Sequence, residues 1–137
     1  MGSLNIRLAY TALQVKDLVK SVKFYTEVLG MTVVTRKSVK QTDGEMCILR
    51  SGRNKLELNW YRNAVVRRGN PLDHLAFEIG PFSAFQRFGE SLRAEGTRLH
   101  EYLETDSWDR FFIKDPDGNW IEIYARKKQL TTSNSRD

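Results

Sequence analysis

Cysteine is nearly absent from this 137-residue chain: Cys47 is the only one, so no intramolecular disulfide can form. The start of the chain also lacks an apolar export segment, and the two absences together point to a reducing, cytoplasmic home. Long hydrophobic runs are missing as well. The longest, such as 75–77 and 121–124, are too short and interrupted to span a bilayer, so no membrane partner is expected. Nor is there a myristoylation signal, because Ile6 stands where that motif needs Ser or Thr, and Met1-Gly2-Ser3 reads as a cloning remnant. What remains is a length that fits one domain, or two small modules sharing a core, and that suffices to bury most apolar surface.

Lys and Arg number 22 against 17 Asp and Glu, a net charge of +5. The excess gathers in Arg50, Arg53, Lys55, Arg62, Arg67 and Arg68, and again in Arg126, Lys127 and Lys128. The plain reading is a solvated basic face. The functional readings are an anionic small molecule drawn to a cleft or a nucleic-acid backbone, and the second ranks last because no nucleic-acid motif accompanies the charge.

The pattern of elements repeats. Residues 8–15 are rich in strand formers and end at Asp17, an N-cap for a helix over 18–29, whose Leu18, Val22, Tyr25 and Leu29 form one stripe closed by Gly30. Strands are predicted over 31–39, 45–50 and 55–61, separated by turn-rich segments. After a polar connector over 62–71 the order begins again: a strand over 74–79, a helix carrying Phe85, Phe88 and Leu92 and ended by Gly96, then strands over 97–102, 108–114 and 119–124. Asp115-Pro116-Asp117-Gly118 marks the last turn, and the tail over 129–137 is expected to be disordered. Tyr10 with His74, Phe24 with Phe88, Glu57 with Glu122 and Gly30 with Gly96 recur at offsets of 64 to 66 positions, the mark of two tandem βαβββ modules. The fold class expected is α+β, a curled, mainly antiparallel sheet with a helix on the outer face of each module. The modules are assigned to 4–65 and 70–128 of a single domain over 4–128.

Strand alternation then sorts the polar residues. In Leu56-Glu57-Leu58-Asn59 the leucines belong under the helix and Glu57 faces away. The same holds for Glu122 between Ile121 and Ile123, for His74 before Leu75 and Phe77, and for Tyr10, which shares its face with Ala12 and Gln14. Each alone reads most simply as a solvated residue on an open sheet face. Together, on a sheet curled by its own twist, the four could converge in a cup. Trp60, Tyr61, Trp108, Phe111 and Trp120 read as sheet packing more readily than as pocket walls. His100 reads as a surface histidine and Cys47 as a buried, inert thiol.

Several segments carry a resemblance: Thr11-Ala12-Leu13-Gln14-Val15-Lys16-Asp17-Leu18 with Ser21, Phe24-Tyr25 and Val28-Leu29-Gly30-Met31; Leu56-Glu57-Leu58; Asp73-His74-Leu75-Ala76-Phe77; and Asp115-Pro116-Asp117-Gly118-Asn119-Trp120-Ile121-Glu122. The chain resembles the vicinal oxygen chelate superfamily, which includes glyoxalase I, bleomycin-resistance proteins, fosfomycin-resistance enzymes and extradiol dioxygenases. The resemblance implies a divalent metal held at Tyr10 (weakly), Glu57, His74 and Glu122, with the carboxylate at Glu57 similar to glyoxalase I, where nickel or zinc is bound. It further implies a lyase or isomerase acting on a small α-carbonyl substrate of hemithioacetal type through an enediolate, with Glu122 and Glu57 as the catalytic proton shuttle, and a homodimer. Tyr10 stands where most members place histidine, which sets the dioxygenase and fosfomycin activities lower. Gln14, the candidate substrate-binding residue, stands where an arginine often contacts glutathione. The rival reading is a binding protein of the bleomycin-resistance type that sequesters a small molecule without chemistry.

Overall fold

A computed structural model of the chain describes residues 8–63 and 72–127. Residues 1–7, the connector residues 64–71 with Arg67 and Arg68, and the tail from Lys128 onward lie outside the described residues. The chain divides into two compact units, one on each side of the connector.

Module one begins with β1 (Thr11–Gln14), followed by the helix α1 (Leu18–Lys23), which Asp17 caps by accepting a hydrogen bond from the Lys20 amide at 3.0 Å. Three strands follow, β2 (Thr32–Val39), β3 (Gly44–Ser51) and β4 (Asn54–Tyr61), in the sheet order β1-β4-β3-β2. β1 runs parallel to β4, and the other two pairings are antiparallel. The helix does not continue as a regular α-helix to residue 29. From Phe24–Val28 the turns widen, with the Leu29 amide reaching back to the Phe24 carbonyl at 3.3 Å. The Thr26 hydroxyl explains the widening, because it donates to the Val22 carbonyl at 2.7 Å and so competes for the acceptor that its own amide would use in an α-helix. Leu13, Leu56, Leu58, Cys47 and Leu49 are buried on the helix side together with Tyr25, as alternation requires. Burial pushes the Cys47 thiol up from its ordinary range, in keeping with an inert role.

Module two repeats the plan with β5 (Leu75–Glu78), α2 (Phe82–Ala94), β6 (His100–Glu104), β7 (Trp108–Lys114) and β8 (Trp120–Arg126), ordered β5-β8-β7-β6. Again the first strand is parallel to the fourth and the rest are antiparallel. Both helices leave through a left-handed glycine, Gly30 at φ 71° and Gly96 at φ 85°, which a residue with a Cβ would adopt only under strain. The core of this module centres on Phe111, fully buried, with the Phe85 ring at 5.3 Å and the Tyr102 ring stacked at 5.7 Å. β6 starts at His100, later than residue 97, and within it Glu101 takes φ 48° and the register slips between His100 and Leu103.

The turn before β8 is tied by one buried side chain. Asp115 accepts from the amides of Asp117 (3.0 Å) and Asn119 (2.7 Å) and from the Asn119 side-chain amide (2.9 Å). Replacing Asp115 with alanine strands these donors, so a loss of about 2–3 kcal/mol is expected, read as a lowered urea midpoint with an unchanged slope.

Candidate functional site

In module two the parallel register places Ala76 beside Glu122, and the antiparallel register places Phe112 on the other side of Glu122. His74 stands two residues before Ala76 on the same face, so its ring reaches diagonally towards Glu122. The His74 Nε2 lies 3.2 Å from the Glu122 carboxylate, and its Nδ1 lies 2.6 Å from the carboxylate of Asp73. The ring is further held edge-on by Phe112, with centroids 5.5 Å apart. Both ring nitrogens thus face carboxylate oxygens. A ring nitrogen that carries a proton donates it to the carboxylate it faces, and the tautomer decides which nitrogen that is.

Around this pair the open face is half apolar and half cationic. Arg110 lies over the Phe112 ring at 4.9 Å, and Lys114 over Trp120 at 4.7 Å. Tyr124 donates to Glu78 at 3.1 Å; burial first and that hydrogen bond second hold its phenol proton on above the ordinary tyrosine range. A shallow pocket of about 330 Å³ is lined by Trp108, Glu122, Tyr124 and Arg126. Trp108, paired with Arg126 in the sheet, is one of the residues lining this pocket. His100 is half-buried and lies edge-on to Trp120 at 5.1 Å.

In module one Glu57 pairs with Ala12 of β1 and Ile48 of β3, on the face away from α1. The Asn59 amide donates to its carboxylate at 2.9 Å, and Gln14 is registered beside Asn59, half-buried. Tyr10 immediately precedes the first registered pair and is 53% exposed. Within each module, and among the described residues, no three His, Cys, Asp or Glu side chains gather in a way that could hold a metal ion. Of the expected set, Tyr10 and Glu57 belong to module one and His74 and Glu122 to module two, where His74 and Glu122 are in contact. Sequence reasoning did not assign roles to Asp73 and Asn59. Each is a polar neighbour of a candidate ligand, one and two residues away, and that proximity was the available signal. Among the described residues no helix is long and apolar enough to cross a membrane.

The chain belongs to the Glyoxalase/Bleomycin resistance protein/Dioxygenase superfamily, whose family model matches residues 7–123. It is 29% identical to the probable lactoylglutathione lyase of Vibrio cholerae, over 90% of this chain and 94% of that one. Among solved structures, the trypanothione-dependent glyoxalase I of Leishmania major superposes with a TM-score of 0.74 at 25% identity, covering 96% of this chain and 94% of the other. A fosfomycin resistance protein of Listeria monocytogenes, solved with manganese(II) and a dihydroxypropylphosphonic acid, shares the fold at 17% identity, with a TM-score of 0.69 over 96% of this chain and 99% of the other. The superfamily thus spans several chemistries on one scaffold, and members of it bind divalent metals.

Proposed function

We propose that the chain is a divalent-metal-dependent lyase or isomerase of the glyoxalase I type, acting on a small α-carbonyl substrate of the hemithioacetal kind. The observation that carries this reading is the contact of His74 Nε2 with Glu122 at 3.2 Å, with Asp73 behind the ring at 2.6 Å. That is the arrangement of an imidazole ligand oriented by a carboxylate. Glu57, His74 and Glu122 would hold the metal, with the Tyr10 phenol as a weak fourth ligand. Three oxygen donors and one imidazole suit nickel or zinc and do not distinguish them. When bound, the metal supplies positive charge to the substrate oxygens.

The rest of the work falls to the side chains. Glu122, or Glu57 in its place, takes the proton from the carbon next to the carbonyl and returns it to the neighbouring carbon, which leaves the carboxylate as it began. Asn59 holds the Glu57 carboxylate in place. Gln14, on the same face beside Asn59, would contact the substrate. The similarity to named lactoylglutathione lyases supports this reading. The protein is further proposed to be a cytoplasmic homodimer. Purified protein, stripped and reloaded with nickel or zinc, is expected to isomerise the adduct of methylglyoxal and glutathione; no turnover under any loading condition would sink the reading.

The exposure of Tyr10 favours a second reading, ligand sequestration without chemistry. It requires that Glu122→Gln leave small-molecule affinity nearly intact.

A further inference from the structure

We infer that the β3–β4 end of module one is a binding site for the oxyanion group of a small molecule, built from Arg50, Arg53 and Lys55 beside Tyr10. Arg50 and Lys55 are directly opposed across the β3–β4 pair. Like charges so placed are unfavourable unless something neutralises them. Arg53 sits in the two-residue turn that joins the same strands, after Gly52 at φ 57°. All three cations are exposed, and among the described residues none of them forms an ion pair. Four cations elsewhere do meet acids: Arg62 meets Asp43, Arg110 meets Glu101, Arg126 meets Glu78 and Lys127 meets Asp109.

The uncompensated trio also lines a cavity of about 600 Å³, together with Leu8, Tyr10 and Asn54, and that volume lies within the range of small-molecule sites. Tyr10 immediately precedes Thr11, the first β1 residue registered with β4, and lines the cavity with Arg50 and Lys55, while Lys55 stands two residues before Glu57 on the same strand face. Two guanidinium forks, an ammonium, a phenol hydroxyl and a side-chain amide are a donor set for phosphate, phosphonate or carboxylate oxygens. The charges are confined to one hairpin end around a concavity and do not form a stripe that could track a nucleic-acid backbone, which favours a small ligand. If the proposed reading of Glu57 holds, the ligand is the substrate itself, carrying its anionic end here and its reacting carbons at Glu57.

The test is a titration of the isotope-labelled full chain with inorganic pyrophosphate, followed by amide and arginine side-chain resonances. Saturable shifts confined to residues 8–10 and 50–55 are expected. The double variant Arg53→Gln/Lys55→Gln should bind about tenfold more weakly or worse, as loss of at least one charge-assisted contact requires. Lys20→Gln/Arg87→Gln, with the same change in net charge at exposed helix positions, should leave the affinity unchanged. Non-saturable shifts, shifts scattered over the surface, or equal weakening in both double variants would overturn the site. Saturation of the same resonances by single-stranded RNA at concentrations where pyrophosphate does not bind would overturn the small-molecule assignment. Because the readout needs neither metal nor turnover, failure of the lyase reading leaves this result standing, and the reverse also holds.

Discussion

Glu122→Gln is expected to lower kcat/KM for the methylglyoxal–glutathione adduct by on the order of 10³-fold, within the range that a positioned general base contributes. The substitution keeps the side chain's shape and its place on β8 between the buried Ile121 and Ile123, so the fold should be retained. It removes the carboxylate that faces His74 Nε2 at 3.2 Å and with it both proposed roles, ligand and base. The loss should fall on kcat as well as KM, because a group that moves a proton acts in the transition state. A rise in KM alone, with kcat unchanged, would place Glu122 in substrate binding and contradict its role in proton transfer. Steady-state kinetics at saturating metal separate the two outcomes.

Phe111→Ala is expected to cost about 3–5 kcal/mol, as truncation of a fully buried aromatic does. Its ring lies within 5.3 Å of Phe85, 5.7 Å of Tyr102 and 6.4 Å of Phe88, so the vacated volume is bounded by other rings and by the helix α2 and cannot collapse easily. Against a typical total of about 5–15 kcal/mol, that loss is large enough to unfold module two under mild denaturant. Trp108 and Trp120 report on that module by fluorescence, and Trp60 reports on the other. Activity should fall with the unfolding transition, because β7 and β8 carry Phe112 and Glu122 and hold His74 in place.

Much of this was legible in the sequence because two periodicities carry it. The stripe Leu18, Val22, Tyr25 gave the first helix, and alternation in Leu56-Glu57-Leu58 and Ile121-Glu122-Ile123 gave the buried face and the open one, since a one-residue slip would bury a carboxylate. The near-constant offset between modules gave the equivalence of Glu57 with Glu122, and the registers show it, each lying beside an alanine of its module's first strand. What the sequence did not disclose depends on bonds made after folding. The widened turns at Phe24–Val28 follow from one Thr26 hydroxyl, and the slip in β6 from a single backbone angle at Glu101. The parallel pairing of β1 with β4 has no local signature, because strand partners are chosen by tertiary packing. The paired carboxylates around His74 depended on where the Asp73 side chain turned, and adjacency alone does not determine that.

The proposed metal ligands are Glu57, His74 and Glu122. Equilibrium dialysis of the full chain against nickel or zinc, with metal content read by mass spectrometry, tests this assignment most directly when wild type, Glu122→Gln and Glu57→Gln are measured together. Stoichiometric metal in the wild type, and loss of affinity by roughly ten- to a hundredfold or more in each variant, is the expected result. Absence of stoichiometric metal in the wild type, or retention of wild-type affinity in both variants, would contradict it.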